Sequence, residues 1–208
     1  MNTWTALFAP LLLSACVSVG LGSDVPAQAQ YLLHDAAAPT QRLTQPLVAA
    51  LLIQPLTADA LADTVAIAYS RRAHEFATYQ FASWTERPLR QVPRLLQRRL
   101  DSHGVAAAVG VSGDPLRADW LLTIAIDSLH HDVSVQPGQG RIAISAELFD
   151  RRSRTRVARR QFEAAVPAGS ADAPAAAAAL SQALTQVFDD LVPWLDAALQ
   201  APTAAAAK

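Results

Sequence analysis

Position 16 holds the chain's only cysteine, and its thiolate is the one side-chain nucleophile here that could take a diacylglyceryl group through a thioether. Its neighbours suit that chemistry. The tetrad Leu13-Ser14-Ala15-Cys16 offers small residues to a narrow peptidase groove, and residues 4–13 (WTALFAPLLL) form an apolar run directly before it. That run has the length of a signal-peptide core, about 7–15 residues, and falls short of the roughly 20 that a membrane helix needs. It reads as a targeting segment with a lipobox, cut before Cys16 to leave an acylated amino terminus. Two or three acyl chains hold a protein to a bilayer, whereas one holds it only marginally. The plainer alternative is an ordinary secretory signal, or a core helix with a buried cysteine. No Lys or Arg precedes Arg42, so the basic start of a signal peptide is reduced to the amino group. A mature chain without further thiols fits export into an oxidising compartment.

The other reactive side chains do not suggest a catalytic or metal site. His130, His131 and Asp132 are contiguous, and neighbours on a strand project to opposite faces, so they cannot converge on one ion. Surface histidines are expected instead. Gly110-Val111-Ser112-Gly113 lacks the spacing of a nucleophile elbow and Gly138-Gln139-Gly140 is no dinucleotide fingerprint, so both read as turns. Asp59, Asp63, Glu75 and Glu86 have no spacing that pairs them. The expectation is a non-enzyme with no catalytic residue, no metal and no cofactor. The densest charge feature is the cluster Arg151, Arg152, Arg154, Arg156, Arg159 and Arg160. One reading is a solvated hairpin tip. The sharper one has Arg151, Arg152 and Arg154 meeting anionic phospholipid headgroups or an acidic partner, because a guanidinium pairs bidentately with phosphate. Trp84 and Trp120 are expected in the core or at a cap, not as ligand stackers.

The elements that carry these residues fit one domain. The 208 residues are 51% hydrophobic, enough to fill a core, although helices assigned on alanine alone are discounted. Lys+Arg 17 against Asp+Glu 18 gives a formal net charge of -1, which argues against a global polyanion binder and against nucleic acid as a partner.

Residues 17–30 are small and turn-prone and read as a flexible tether. Tyr31-Leu32-Leu33 predicts a short strand, and residues 35–46, with Pro39 and Pro46, a loop. The apolar run 47–56 predicts a strand covered on both faces. Residues 64–70, broken by Arg71-Arg72, and 74–84, with Phe76 on one parity and Tyr79 and Phe81 on the other, predict a hairpin. Ser83-Trp84-Thr85-Glu86 has capping-box spacing. A helix should follow to about Ser102 and end at Gly104. Leu89, Val92, Leu96 and Leu100 give it a buried stripe, and Arg87, Arg90, Arg94, Arg98 and Arg99 much of the remainder. Pro93 predicts a kink or a later start.

Residues 120–129 and 141–149 alternate, with Ile142, Ile144, Ala146 and Leu148 on one face, and 132–140 between them is loop-like. A turn at 150–155 leads into a strand over 156–166, making a long hairpin. Leu180, Leu184, Val187, Phe188, Leu191, Leu195 and Leu199 mark one face of a last helix, bent at Pro193 and frayed from Ala201. The fold class is therefore α+β, a mixed or antiparallel sheet with two main helices packed on one face. The expected organisation is signal peptide 1–15, acylated terminus and tether 16–30, a single domain 31–200 and a disordered tail 201–208.

The lipobox, Tyr31-Leu32-Leu33, Ile53-Gln54-Pro55, Arg71 with His74-Glu75-Phe76, Tyr79, Trp84, Glu86 and Pro88-Leu89 form a combination that Ala118-Asp119-Trp120-Leu121 and the hairpin to Phe162 continue. Together they resemble the ABC-type transport auxiliary lipoprotein family, over nearly the whole mature chain. The resemblance implies a non-enzymatic protein held by its acyl chains on the periplasmic face of the outer membrane. Its implied partners are an MCE-domain protein and the permease and ATPase of an ABC system that moves lipid between two membranes. It also implies that Trp84 and Glu86 help to build the fold, and it admits a homo-oligomer. Val17 after the cysteine, in place of Asp, resembles lipoproteins released to the outer membrane. The rival readings are a structural lipoprotein of another envelope machine, such as a secretion or pilus apparatus, and a periplasmic hydrolase.

Overall fold

The computed structural model describes residues 27–37, 42–56 and 59–201. Leu13, Ser14, Ala15 and Cys16, the tether up to residue 26 and the tail from 202 lie outside the described residues. In order come β1 (Ala29–Tyr31), β2 (Val48–Leu56), a 3-10 turn (Ala60–Asp63), β3 (Ala66–Arg72), β4 (Glu75–Trp84) and α1 (Pro88–His103). After them follow β5 (Ala106–Val111), β6 (Trp120–Asp132), β7 (Gln139–Asp150), β8 (Thr155–Pro167) and α2 (Ala173–Gln200). The fold is α+β, and the described strands join in one mixed sheet.

Strand β6 is its spine. Along one edge it pairs antiparallel with β7, from Trp120↔Asp150 to Asp132↔Gln139, and β7 pairs onward with β8. The other edge is divided. β2 runs parallel to the first half, Leu51↔Trp120 to Leu56↔Ala125, and β3 to the end, Tyr69↔His131 and Ser70↔Asp132. The sheet thus forks into one arm of β2 and β5 and another of β3, β4 and β1.

Strand alternation sends Leu51, Ile53, Leu122, Ile124, Ile126, Ile142, Ile144, Ala146 and Leu148 into the core. There they meet both helices. On α2 the predicted face is buried from Leu180 through Leu195, with Leu199 half-buried, and the helix continues through Pro193. It lies so close to β7 that a Cβ on Gly140 would come within 2.6 Å of the backbone of Ala179 and Leu180.

The start of α1 overturns the capping-box reading. Ser83 and Trp84 end β4, the Trp84 N–H donates to the Val65 carbonyl at 2.7 Å, and Arg87 is the cap residue without a side-chain cap bond. Glu86 accepts only from the adjacent Arg87 N–H, at 2.9 Å. Pro88 opens the helix instead, where its missing N–H has no helical partner to lose. Neither does α1 start later at Pro93: burial of Val92, Pro93, Leu95 and Leu96 offsets the one lost hydrogen bond. Leu89, expected in the stripe, is only half-buried, and Leu95 takes its place. Gly104, at φ 78, ends the helix as expected.

Other boundaries move because partners decide them. Arg71 and Arg72 continue β3 rather than break it. Gly110 and Val111, read as a turn, belong to β5, a strand of alanine, valine and glycine that exists through its pairing with β2, from Val48↔Ala106 to Ile53↔Val111. The first strand is Ala29–Tyr31, not 31–33, so Ala29 and Gln30 of the expected tether already pair with β4. Gln139 and Gly140, read as loop, open β7.

Candidate functional site

The tether joins the body at a fixed place. Because β1 is parallel to β4, with Ala29↔Ala82 and Tyr31↔Trp84, the chain arrives from the side of the β3–β4 turn and heads toward the Trp120 end of the sheet. Leu33 is then buried, and the next residues are held between the two helices. The Ala36 N–H donates to Thr185 Oγ1 at 2.9 Å, and Gln91 Nε2 donates to the Leu33 carbonyl at 3.3 Å. Asp35 accepts from Arg99 Nε at 2.7 Å and from Arg99 Nη2. Arg99 Nη1 reaches Asp189 of α2 at 2.6 Å, with the guanidinium side chain only 5% exposed. Burial pushes the Asp35 carboxyl up, but the Arg99 hydrogen bonds and charge, helped by the Ala37 N–H and Thr185, hold it below the usual carboxylate range.

At the opposite end sits the β7–β8 turn. It gathers the three predicted contact arginines but leaves them in different states. Arg151 Nη1 donates to the Ala118 carbonyl at 2.8 Å. Arg152 pairs with Asp119 at 2.5 Å, and that contact holds the Asp119 carboxyl low. Arg154, in the left-handed region at φ 58, has no ion pair among the described residues. The rest of the basic cluster is engaged. Arg156 and Arg159 share Glu147 at 3.0 and 3.3 Å, and Arg160 stands 5.0 Å from the Phe162 ring. Beside the tip, Leu121 and Phe149 form an apolar floor with Arg151 and Arg154 at its edge, in a shallow depression of about 460 Å³.

His130 and His131 do face opposite sides of β6, but they are not surface histidines. His131 is fully buried, bonded to the Tyr79 hydroxyl at 2.7 Å, and His130 packs edge-on against Phe76 with centroids 5.1 Å apart. Burial depresses both imidazoles. It also pushes Tyr79 up to about 12, reinforced by the charge of Asp172. The fork makes this environment: β3 and β4 fold over the end of β6, a placement no local pattern announces. Among the described residues no group of His, Cys, Asp and Glu is placed to hold a metal ion.

A depression of about 670 Å³ lies on the helix-free face under the fork and is lined by Arg72, His74, Phe76, His130, Arg141 and Glu163 among others. Asp132, also there, is occupied by Ser134, Gln139 and Arg141.

The model of the family described as ABC-type transport auxiliary lipoprotein component matches residues 31–192. The chain belongs to this family. The crystal structure of protein XCC0632 from Xanthomonas campestris, assigned to DUF330, is similar at 27% identity and a TM-score of 0.72, over 83% of this chain and 97% of that one. A second crystal structure, of an uncharacterized protein, has a TM-score of 0.62 at 15% identity, over 81% and 99% of the two chains, and shows the shared fold. Comparison with curated proteins gives no match. The family match of this auxiliary lipoprotein runs from Tyr31, the last residue of β1, to Val192 in α2, so it takes in β2 through β8, all of α1 and most of α2. No described helix is long and apolar enough to cross a membrane.

Proposed function

We propose that this auxiliary lipoprotein is acylated at Cys16, sits on the periplasmic face of the outer membrane, and is the non-catalytic docking component of an MCE-type ABC system. It would receive or hand over lipid cargo brought by the MCE-domain protein, with the permease and ATPase in the other membrane. The family match over the folded body carries this reading. Two features support it. The tether is tied into the body through Asp35 and Arg99, as suits a protein that works under an anchor. Two groups of catalytic type are engaged in hydrogen bonds, His131 with Tyr79 and Asp132 with Ser134.

The test is copurification of the full chain, extracted in detergent from its own membranes, with an MCE-domain protein of the same cell. Recovery of the MCE protein together with permease and ATPase supports the proposal. Recovery of secretion or pilus components instead assigns the lipoprotein to another envelope machine. Hydrolysis of generic ester or peptide substrates would overturn the non-catalytic part.

A further inference from the structure

We infer that the Trp120 end of the helix-free sheet face is a docking surface for an acidic, apolar segment of a partner protein. The face is built across adjacent strands. Leu52 of β2 pairs with Leu121 of β6, and Leu121 with Phe149 of β7, so three half-buried apolar side chains stand in one row where alternation would allow polar ones. Leu116 extends the row by packing over Gly110, whose added Cβ would come within 2.9 Å of it. At the other end of the row stand Arg151 and Arg154, on the rim of the depression that Leu121 and Phe149 floor.

Charge complementarity specifies the occupant. Asp150, which also lines this depression, accepts from the N–H groups of Arg152 and Ser153. Asp119 is engaged by Arg152, and Glu147 by Arg156 and Arg159. Among the described residues Arg154 has no ion pair, and Arg151 donates to the Ala118 carbonyl and to no carboxylate. An exposed guanidinium beside a flat apolar row matches a protein segment that carries Asp or Glu next to apolar residues.

A phospholipid is the poorer fit on two grounds. The depression is a shallow floor of two side chains, with no slot for an acyl chain. The surface also lies at the far end of the body from the tether. Ala29 is level, across β4 and β3, with the last third of β6, roughly 30 Å up the strands from Trp120. A membrane holding Cys16 is thus approached by the opposite end of the sheet. The inference rests on the proposed function in supposing that the lipoprotein is anchored through Cys16 and meets a protein.

The experiment places a photoreactive benzoylphenylalanine at Phe149 in the full-length, acylated protein in living cells. The adduct after illumination is then mapped by mass spectrometry. The expected adduct is with a protein segment bearing at least one carboxylate. Arg154→Glu should lower its yield roughly tenfold or more, Arg154→Lys should preserve it, and exchanging the partner's carboxylate for Arg should restore it in the Arg154→Glu background. An adduct with phospholipid alone, no adduct, or a protein adduct indifferent to Arg154→Glu would each overturn the inference. Because Arg154 is exposed and in a turn, its variants fold. An adduct that meets these criteria on a protein outside any ABC system keeps this surface and removes the MCE assignment. A copurifying MCE protein unaffected by Arg154→Glu does the reverse.

Discussion

Arg99 of α1 is buried against Asp35, the carboxylate four residues beyond the first strand, and grips it with two guanidinium nitrogens. A third nitrogen binds Asp189 of α2. One side chain thereby ties together the incoming chain and both helices.

Removing Arg99 leaves the Asp35 charge without its counter-ion in a site with little water. Arg99→Ala should destabilise the domain by about 3–5 kcal/mol, read as a lower urea midpoint. Asp35→Asn should cost less, since Thr185 and the Ala37 N–H can still bond the amide. The Asp35 pKa is lowered from 3.8 by folding, so its stabilisation is complete above that value and is lost as pH falls from it through the folded pKa. The stability gap between the wild type and Asp35→Asn should therefore persist at pH 5 and narrow only below about 4.

His131 works in the other pH range. Burial holds it below the 6.5 of an exposed imidazole, so the unfolded chain takes up a proton sooner than the native one does. Stability is full above pH 6.5 and declines as pH falls below it, until the folded pKa is passed. His131→Gln should flatten that decline in thermal melts between pH 7.5 and 5, leaving the part that His130 contributes by the same burial. An undiminished slope in the variant would show that His131 is not the titrating group.

Gly140 sits under the backbone of α2 at a distance no Cβ tolerates. Gly140→Ala must push the helix off β7 and should cost about 1–3 kcal/mol or more. Gly169→Ala, with nothing near its Cβ position, should change stability by less than about 0.5 kcal/mol. Equal unfolding midpoints for the two variants would contradict the packing described here.

Cys16→Ser removes the nucleophile that acylation requires. The variant should appear in the soluble envelope fraction without added acyl mass, while the wild type partitions into detergent. A wild-type protein of unmodified mass would remove the anchor from the proposal.

Much of the fold is legible in local patterns. The alternation in 141–149 and the apolar face of α2 each announce an element that buries one side, and these elements form where expected, as does the turn that holds Arg151, Arg152 and Arg154. β5 is not legible, because Ala106–Val111 carries little strand preference and is extended only where β2 supplies its ladder. Arg99 could have been noticed by its position: three residues after Leu96 and next to Leu100, it shares the buried stripe rather than the solvent side.

Composition and short-range spacing by themselves determine the α+β class of this protein and most of the order of its elements. Those properties depend on side-chain type and period along one stretch of chain. Only the tertiary structure decides that His131 is buried, that Arg152 is tied to Asp119 while Arg154 has no ion pair among the described residues, and that the arginine tip lies at the other end of the sheet from the tether. Each of these depends on which distant strand or helix arrives beside a residue. Burial and charge pairing are set by neighbours tens of residues away, which no local window contains.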